Sequence, residues 1–295
     1  MDRLETRELT YFVAVAEELH FGRAAQRLGI AQPPLSRAIR QVERRIGVPL
    51  LDRTSRRVAL TPAGEVMLHE ARKALDAVSA AGQRARRAGQ PDRRLVLVMK
   101  PGGDAGLLPE ILAQYEPEPD ALPMEIHICG IAEQAGLLRQ GQADVGLLHR
   151  PYDDLGGFDT EDLLVERHVL VIAEDHRFAG RDSVTMAELA GEPQPRFPGQ
   201  PVADPAAPLI RDSGQLMQLI ALGRLVAVLP ASSRERLPAG LVTVPIADAP
   251  TSTVVAAWPE RSWSRAVAAF ARAAATVART RTAATVATTG QPSAS

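Results

Sequence analysis

Ser36, Arg37, Arg40 and Arg44 crowd one short polar stretch, with Gln32, Pro33 and Pro34 just before it. Guanidinium forks match guanine edges and phosphate oxygens, and a short side chain such as Ser36 allows close approach. The chemistry on offer is recognition of a duplex rather than bond making. A second candidate is Lys100-Pro101-Gly102-Gly103-Asp104, a cation beside a glycine turn. Free backbone N–H groups at a helix start, together with an ammonium, can hold a small anion. A third is the alternation of Glu125, His127 and Cys129. Residues two apart on a strand share a face, where a metal or thiol sensor could be built. A lone cysteine beside one histidine is more often a packed residue, so no metal and no cofactor are expected. His20, His69, His149, His168 and His176 show no ligand spacing. No G-x-S-x-G elbow, H-E-x-x-H pair or Walker loop occurs, so no catalytic residue is nominated and no enzyme activity is expected.

Two helices must present the arginines. Residues 22–28 read as a short helix ended by Gly29, which permits the left-handed backbone of a helix stop. Pro33 and Pro34 start the next helix, where an absent N–H has no helical partner to lose. Leu35, Ile39, Val42 and Ile46 recur at spacings of four, three and four and form one apolar stripe, with the arginines off it. A helix, a glycine turn and a second helix with a cationic outer face suit insertion in a major groove. They would also suit a solvated helical hairpin. The next segment tips the balance: Leu51 to Thr61 sets Arg53, Thr54, Ser55, Arg56 and Arg57 between apolar ends, as in a hairpin wing beside the reading helix. Residues 7–19 supply a bracing helix, with Leu9, Phe12, Val13, Ala16 and Leu19 inward and Thr6 as its candidate N-cap.

On these residues the chain resembles the LysR-type transcriptional regulators. The run from Glu8 to Gly64 matches that family's N-terminal domain almost position for position, including AQPPLSR, GVPLLDR and LTPAG. The later segments also follow the family's order, so the resemblance covers roughly residues 3 to 280. It implies a winged helix-turn-helix DNA-binding domain over residues 1–61, then a linker and dimerisation helix with a hinge over 62–91. A two-lobed α/β effector domain like type 2 periplasmic binding proteins follows over 92–280.

Charge is divided along the chain as this plan requires. Residues 1–91 hold 16 Lys/Arg against 10 Asp/Glu, and the remainder 18 against 25. A basic front and an acidic rear fit a DNA-facing head on a body that phosphate repels. The net charge of −1 alone says nothing of nucleic acid. Cys129 is the single cysteine, so no intrachain disulfide forms. The charged N-terminal residues lack an apolar leader core, and no long apolar run occurs, so the cytoplasm is the expected location. A solute-binding protein built on the rear half alone fits less well, because of the basic head.

Pro62 to about Arg87 reads as one long helix capped by Thr61, with Leu68, Ala71, Leu75, Val78 and Ala81 as its stripe. The resemblance makes this the dimer helix; the alternative is a helix lying on its own domain. From Arg94 strands and helices alternate. Strands are expected at 94–100, 124–129, 143–149, 168–173, 225–230, 242–246 and 252–258, and the β-α-β order predicts a mostly parallel sheet. Lobe I takes residues 92–163 and 252–280, lobe II 164–251, and 281–295 form a disordered tail. Ligands bind at strand ends in such clefts.

The N-terminal end of a reading helix reaches base edges, which nominates Gln32, Pro33, Pro34, Ser36 and Arg37. Arg40, Arg53, Thr54, Ser55 and Arg56 are nominated for phosphates. For the effector the nominees are Lys100, Pro101, Gly102, Gly103, Gly130, Ile131, Arg196, Phe197, Asp212 and Ser213. The family often has a hydroxyl residue in the first turn, where Pro101, Gly102 and Gly103 stand here, and Ile131 stands where some relatives have threonine. The first departure takes side-chain hydrogen bonding out of that turn, and the second makes the cleft more apolar on its side. The expected partners are double-stranded DNA, a small effector of the organic-acid class, a second copy in a homodimer or homotetramer, and RNA polymerase for an activator. No membrane partner is expected.

Overall fold

The computed structural model describes residues 4–53, 57–199, 204–260 and 262–289, with side chains to 281. It divides into two units, residues 1–86 with 139–141 and residues 87–138 with 142–295.

In the first unit, helix α1 (Thr6–Glu18) is capped by Glu5, not by Thr6 as the sequence suggested. Glu5 and Glu8 cap each other reciprocally, which occupies two orphan N–H groups and leaves Thr6 inside the helix. Helix α2 (Phe21–Arg27) begins on His20, whose Nδ1 accepts from the Gly22 and Arg23 N–H groups at 3.0 and 3.2 Å. Gly29 turns the chain at φ +66°, and α3 (Gln32–Ile46) ends on Gly47 at φ +83°. Leu35, Ile39 and Val42 of its stripe are buried against Phe12, Val15 and Ala24, while Ile46 stays 38% exposed. Each buried aliphatic side chain contributes about 1.5–3 kcal/mol. Strands β1 (Leu51–Arg53) and β2 (Val58–Leu60) form the antiparallel hairpin.

Helix α4 (Pro62–Ala88) opens on Thr61, whose Oγ1 accepts from the Gly64 N–H at 3.0 Å and donates to the Pro49 carbonyl at 2.8 Å. Gly64 lies against the wing: a Cβ there would stand 2.0 Å from the Leu50 carbonyl oxygen. Ala71 and Leu68 join the core of this unit, whereas Val78 remains 55% exposed.

The second unit begins with β3 (Leu95–Met99), buried throughout. Helix α5 (Leu108–Tyr115), strand β4 (Met124–Ile128), helix α6 (Gln134–Arg139), strand β5 (Val145–Arg150) and strand β6 (Phe158–Glu166) follow. After one residue, Arg167, comes β7 (His168–Ala173). Helix α7 (Ser213–Ala221), strands β8 (Ala227–Pro230), β9 (Leu241–Pro245) and β10 (Ser252–Pro259), and helix α8 (Arg265–Thr289) complete it.

Lobe I is a five-stranded sheet in the order β4-β3-β5-β10-β6. Leu97, Ile111, Tyr115 and Phe270 pack on one face, and Val98, Leu138, Leu148 and Phe158 on the other. Lobe II is a three-stranded sheet in the order β8-β7-β9. The expected mostly parallel sheet is corrected here. β3 pairs in parallel with β4 and β5, but β10 pairs antiparallel with β5 and β6, and β7 antiparallel with β8 and β9. The physical reason is the return of β10 from lobe II, which lays it against the direction of its neighbours. Strand β6 was not anticipated, and it carries lobe I to Glu166 rather than 163.

The expected tail is corrected as well. Helix α8 continues to Thr289, because alanine favours helix and no glycine or proline interrupts the run before Gly290. Residues 290–295 lie outside the described residues. No helix among the described residues is long and apolar enough to cross a membrane.

Candidate nucleic-acid interface and ligand cleft

The polar face of α3 follows from its stripe. With Leu35, Ile39 and Val42 buried, Gln32, Pro33, Pro34, Arg37 and Arg40 turn outward and are exposed, and Ser36 is half-buried between them. Arg40 folds back along the helix, donating from Nη2 to Ser36 Oγ at 3.2 Å.

Ion pairs fix this helix in its unit. Arg45 reaches Glu8 of α1 at 2.8 Å, with both side chains largely buried. Glu43 accepts from the Leu50 and Leu51 N–H groups at 3.0 and 3.2 Å and from Arg53 Nη2 at 2.6 Å. The Arg53 guanidinium also lies 5.0 Å from the Phe21 ring centre. Arg53 is therefore engaged in joining wing to helix, a structural task the sequence did not reveal. Glu17 of α1 takes Arg27 of α2 and Arg72 of α4 together. Burial raises the Glu17 carboxyl, but hydrogen bonds from Arg72 and Arg27 outweigh it and hold the pKa below the usual carboxylate range. Thr54, Ser55 and Arg56, nominated for phosphates, lie outside the described residues.

Between the lobes of the second unit lies a cavity of about 760 Å³. Lys100, Pro101 and Gly102 line it from the end of β3, and Ile131 and Ala132 from the turn after β4. Lobe II contributes Phe197, Pro198, Ser213, Leu216 and Met217, and the short helical turn at 231–236 contributes Ser232, Ser233 and Arg236. Two contacts join the lobes beside it. Arg236 Nη1 meets Asp104 Oδ1 at 2.8 Å, and the Ile131 N–H donates to the Arg211 carbonyl at 2.9 Å. Burial raises the Asp104 carboxyl, but its hydrogen bond to Arg236 wins and lowers it.

The cavity floor is polar, and sequence reasoning missed most of it. His149 at the end of β5, then Tyr152 and Asp153, and His168 at the start of β7 all line it. Asp153 Oδ2 accepts from the His149 N–H at 2.7 Å. His168 Nδ1 lies 2.6 Å from the Pro250 carbonyl, which can only accept. In the neutral ring Nε2 is then the acceptor for the Tyr152 hydroxyl at 2.9 Å. This ring ties together both chain crossings between the lobes. Burial, then the charge of Lys100, drives His149 well below 6.5, and its Nδ1 has no hydrogen-bond partner. Burial raises Asp153 against the pull of Lys100, and burial lowers Lys100 against the pull of Asp153 and Glu166.

Four of the ten nominated cleft positions do not line the cavity, and each of them has a visible local task. Gly103 lets the turn close over the lysine, since a Cβ there would stand 2.8 Å from Lys100 Cγ. Gly130 donates its N–H to Glu133 at 2.8 Å. Arg196 Nε donates to the Ala207 carbonyl at 2.7 Å and holds its own loop. Asp212 caps α7 through the Gln215 N–H at 2.8 Å. Lys100, Pro101, Gly102, Ile131, Phe197 and Ser213 do line it. Glu125 and His127 are exposed on β4, whereas Cys129 lies past its end, buried, with a thiol pushed up to about 11 by burial.

Comparison with known proteins agrees with this division. Residues 6–65 match the family described as bacterial regulatory helix-turn-helix protein, lysR family, and residues 88–279 match the LysR substrate binding domain. The Hca operon transcriptional activator HcaR of Escherichia coli K12 is 40% identical over 189 residues, which span 64% of this chain and 63% of that protein. The E. coli K12 regulator YnfL is 34% identical over 276 residues, covering 87% of this chain and 93% of that one. A point mutant of full-length BenM is similar in structure, with a TM-score of 0.52 and 25% identity over 95% of this chain and 97% of that chain. Two family models in register with the two units, and a relative matched along nearly its whole length, leave one conclusion: the chain belongs to the LysR family of bacterial helix-turn-helix transcriptional regulators.

Proposed function

We propose that α3 enters the major groove of a duplex, with Gln32, Pro33, Pro34, Ser36 and Arg37 at base edges and Arg40 at phosphate. The observation that carries this is the exposed cationic face of a helix whose opposite face is buried and ion-paired. Arg53, with Thr54, Ser55 and Arg56, extends the phosphate contact along the wing. The chain acts as a dimer, paired further into a tetramer, so its site has two-fold symmetry with half-sites whole helical turns apart. It works in the cytoplasm as a regulator without catalysis, and contacts RNA polymerase where it activates.

The effector is a small organic acid held in the cleft between the lobes. The lone lysine at the cavity floor and the apolar wall of α7 support this. Its binding favours one lobe geometry and so changes how the heads are presented to DNA.

An electrophoretic shift tests the first part, using the DNA upstream of the chain's own gene. The expected result is a complex at nanomolar dimer in moderate salt, lost with an unrelated duplex. Equal retention of every duplex, or of none at low salt, defeats it.

A further inference from the structure

Of the 34 lysine and arginine residues in the chain, only Lys73 and Lys100 are lysines. Lys73 is exposed on α4 and pairs with Glu70 at 3.2 Å. Lys100 is the opposite case. It lines the cleft, its stem packed under Gly103, and among the described residues its amine has no carboxylate within 4.0 Å. An ammonium there is half-buried without a counter-charge in contact, and burial lowers its pKa. Arginine stays protonated in such a place, whereas lysine can offer a neutral amine. Holding an anion needs only a fixed positive charge, which this chain supplies elsewhere with arginine.

The surroundings suit nucleophilic addition. Asp153 and His149 line the same floor, and His149 Nδ1 is buried without a partner. Leu216 and Met217 of α7 form an apolar wall, and Ser213, Ser232 and Ser233 bring hydroxyls to the same space.

We propose that Lys100 captures a small oxo acid as an imine, so that the effector is held covalently and reversibly. This rests on the reading of the cleft as the effector site. The neutral amine adds to the carbonyl carbon and forms the C–N bond as the C=O π bond opens. Asp153 gives a proton to the former carbonyl oxygen, takes one from the added nitrogen, and gives that proton to the resulting hydroxyl, which leaves as water while C=N forms. The second proton shed by nitrogen restores Asp153 to its starting state. Nothing is oxidised or reduced. The acid's carboxylate lies toward the serine hydroxyls, and its body lies on the α7 wall.

The test incubates the full-length protein with pyruvate, phenylpyruvate or benzaldehyde, and separately with benzoate, which lacks a carbonyl. Cyanoborohydride then fixes any imine, and intact mass and peptide mapping locate it. The expected result is one adduct per chain, on Lys100, from an oxo acid. It forms faster on Lys100 than on Lys73, because a lowered pKa leaves more of the amine neutral. It persists in Lys73→Arg, slows in Asp153→Asn and vanishes in Lys100→Arg. Mapping on the unmodified chain carries the result even if a variant fails to fold. Adducts on Lys73 or the N-terminal amine without Lys100, or none from any carbonyl probe, overturn the imine. A probe that raises the melting temperature without a trapped adduct also overturns it, yet leaves the cleft standing as a ligand site.

Discussion

Glu43 on α3 and Arg53 on β1 meet at 2.6 Å, and the same carboxylate takes two backbone N–H groups at the start of the wing. The angle between wing and reading helix is set by one side chain. Glu43→Gln keeps the shape but removes the charge, and hydrogen bonds to charged groups are worth about 1.5–3 kcal/mol each. Amide exchange at Leu50 and Leu51 is expected to quicken at least about tenfold, the factor that 1.4 kcal/mol gives. Unchanged exchange would show the brace to be idle.

Arg37 and Arg40 separate two kinds of contact. Arg37→Ala is expected to lose about 1–3 kcal/mol of discrimination at the base pairs it reads. Arg40→Ala is expected to weaken all sequences alike and to lower the salt slope of binding by about one. Titrations against operator variants at several salt concentrations measure both. A uniform loss for Arg37→Ala would remove its base-reading role.

Gly64 is a packing position with no tolerance. Its Cβ would stand 2.0 Å from the Leu50 carbonyl oxygen, both of them backbone-fixed. Gly64→Ala is expected to destabilise the head by about 1–3 kcal/mol through forced separation of α4 from the wing. Comparative melting of the two proteins checks this, and an unchanged midpoint contradicts it.

The fold of the head was legible because a helix stripe is a local pattern, and Leu35, Ile39 and Val42 are buried as their spacing requires. Pairing through space was not. Nothing in the spacing of Glu43 and Arg53 marks them as partners, so the brace between wing and helix did not show in the sequence. Strand β6 was missed because its burial does not alternate, and its pairing with β10 slips between Val254 and Val255. The cleft floor was the least legible part. His149, Tyr152 and Asp153 follow β5 and His168 opens β7, so they converge only once the sheets are built. A glycine turn beside a lysine was visible in the sequence, but the carboxylate that shares its cavity, Asp153, was not.

His149 gives the cleft a pH dependence of known sign. Buried, and beside Lys100, it resists a proton to well below 6.5, whereas the unfolded chain takes one near 6.5. Its contribution to stability is therefore intact above about pH 6.5 and is lost as pH falls. The melting temperature is expected to drop on acidification from pH 7.5 to 5.5, and to drop less in His149→Asn. Equal drops would assign the effect to other groups.

Arg236, which lines the cleft from lobe II, pairs with the buried Asp104 of lobe I. Since the arginine is half exposed, Arg236→Ala is expected to cost about 1–2 kcal/mol, less than a fully buried pair. Faster amide exchange across Gly102 to Gly106 would report it. Protection equal to that of the unaltered chain would show that the pair does not hold the lobes.

Only Arg167 stands between β6 of one sheet and β7 of the other. A joint of one residue has no slack. Any rotation of the lobes must twist the dihedral angles at 166–168 and at the return crossing near Pro250, so they swing like a book about its spine rather than slide. A molecule wedged between the pages near the spine gains leverage: a small displacement there becomes a large arc at the outer edges.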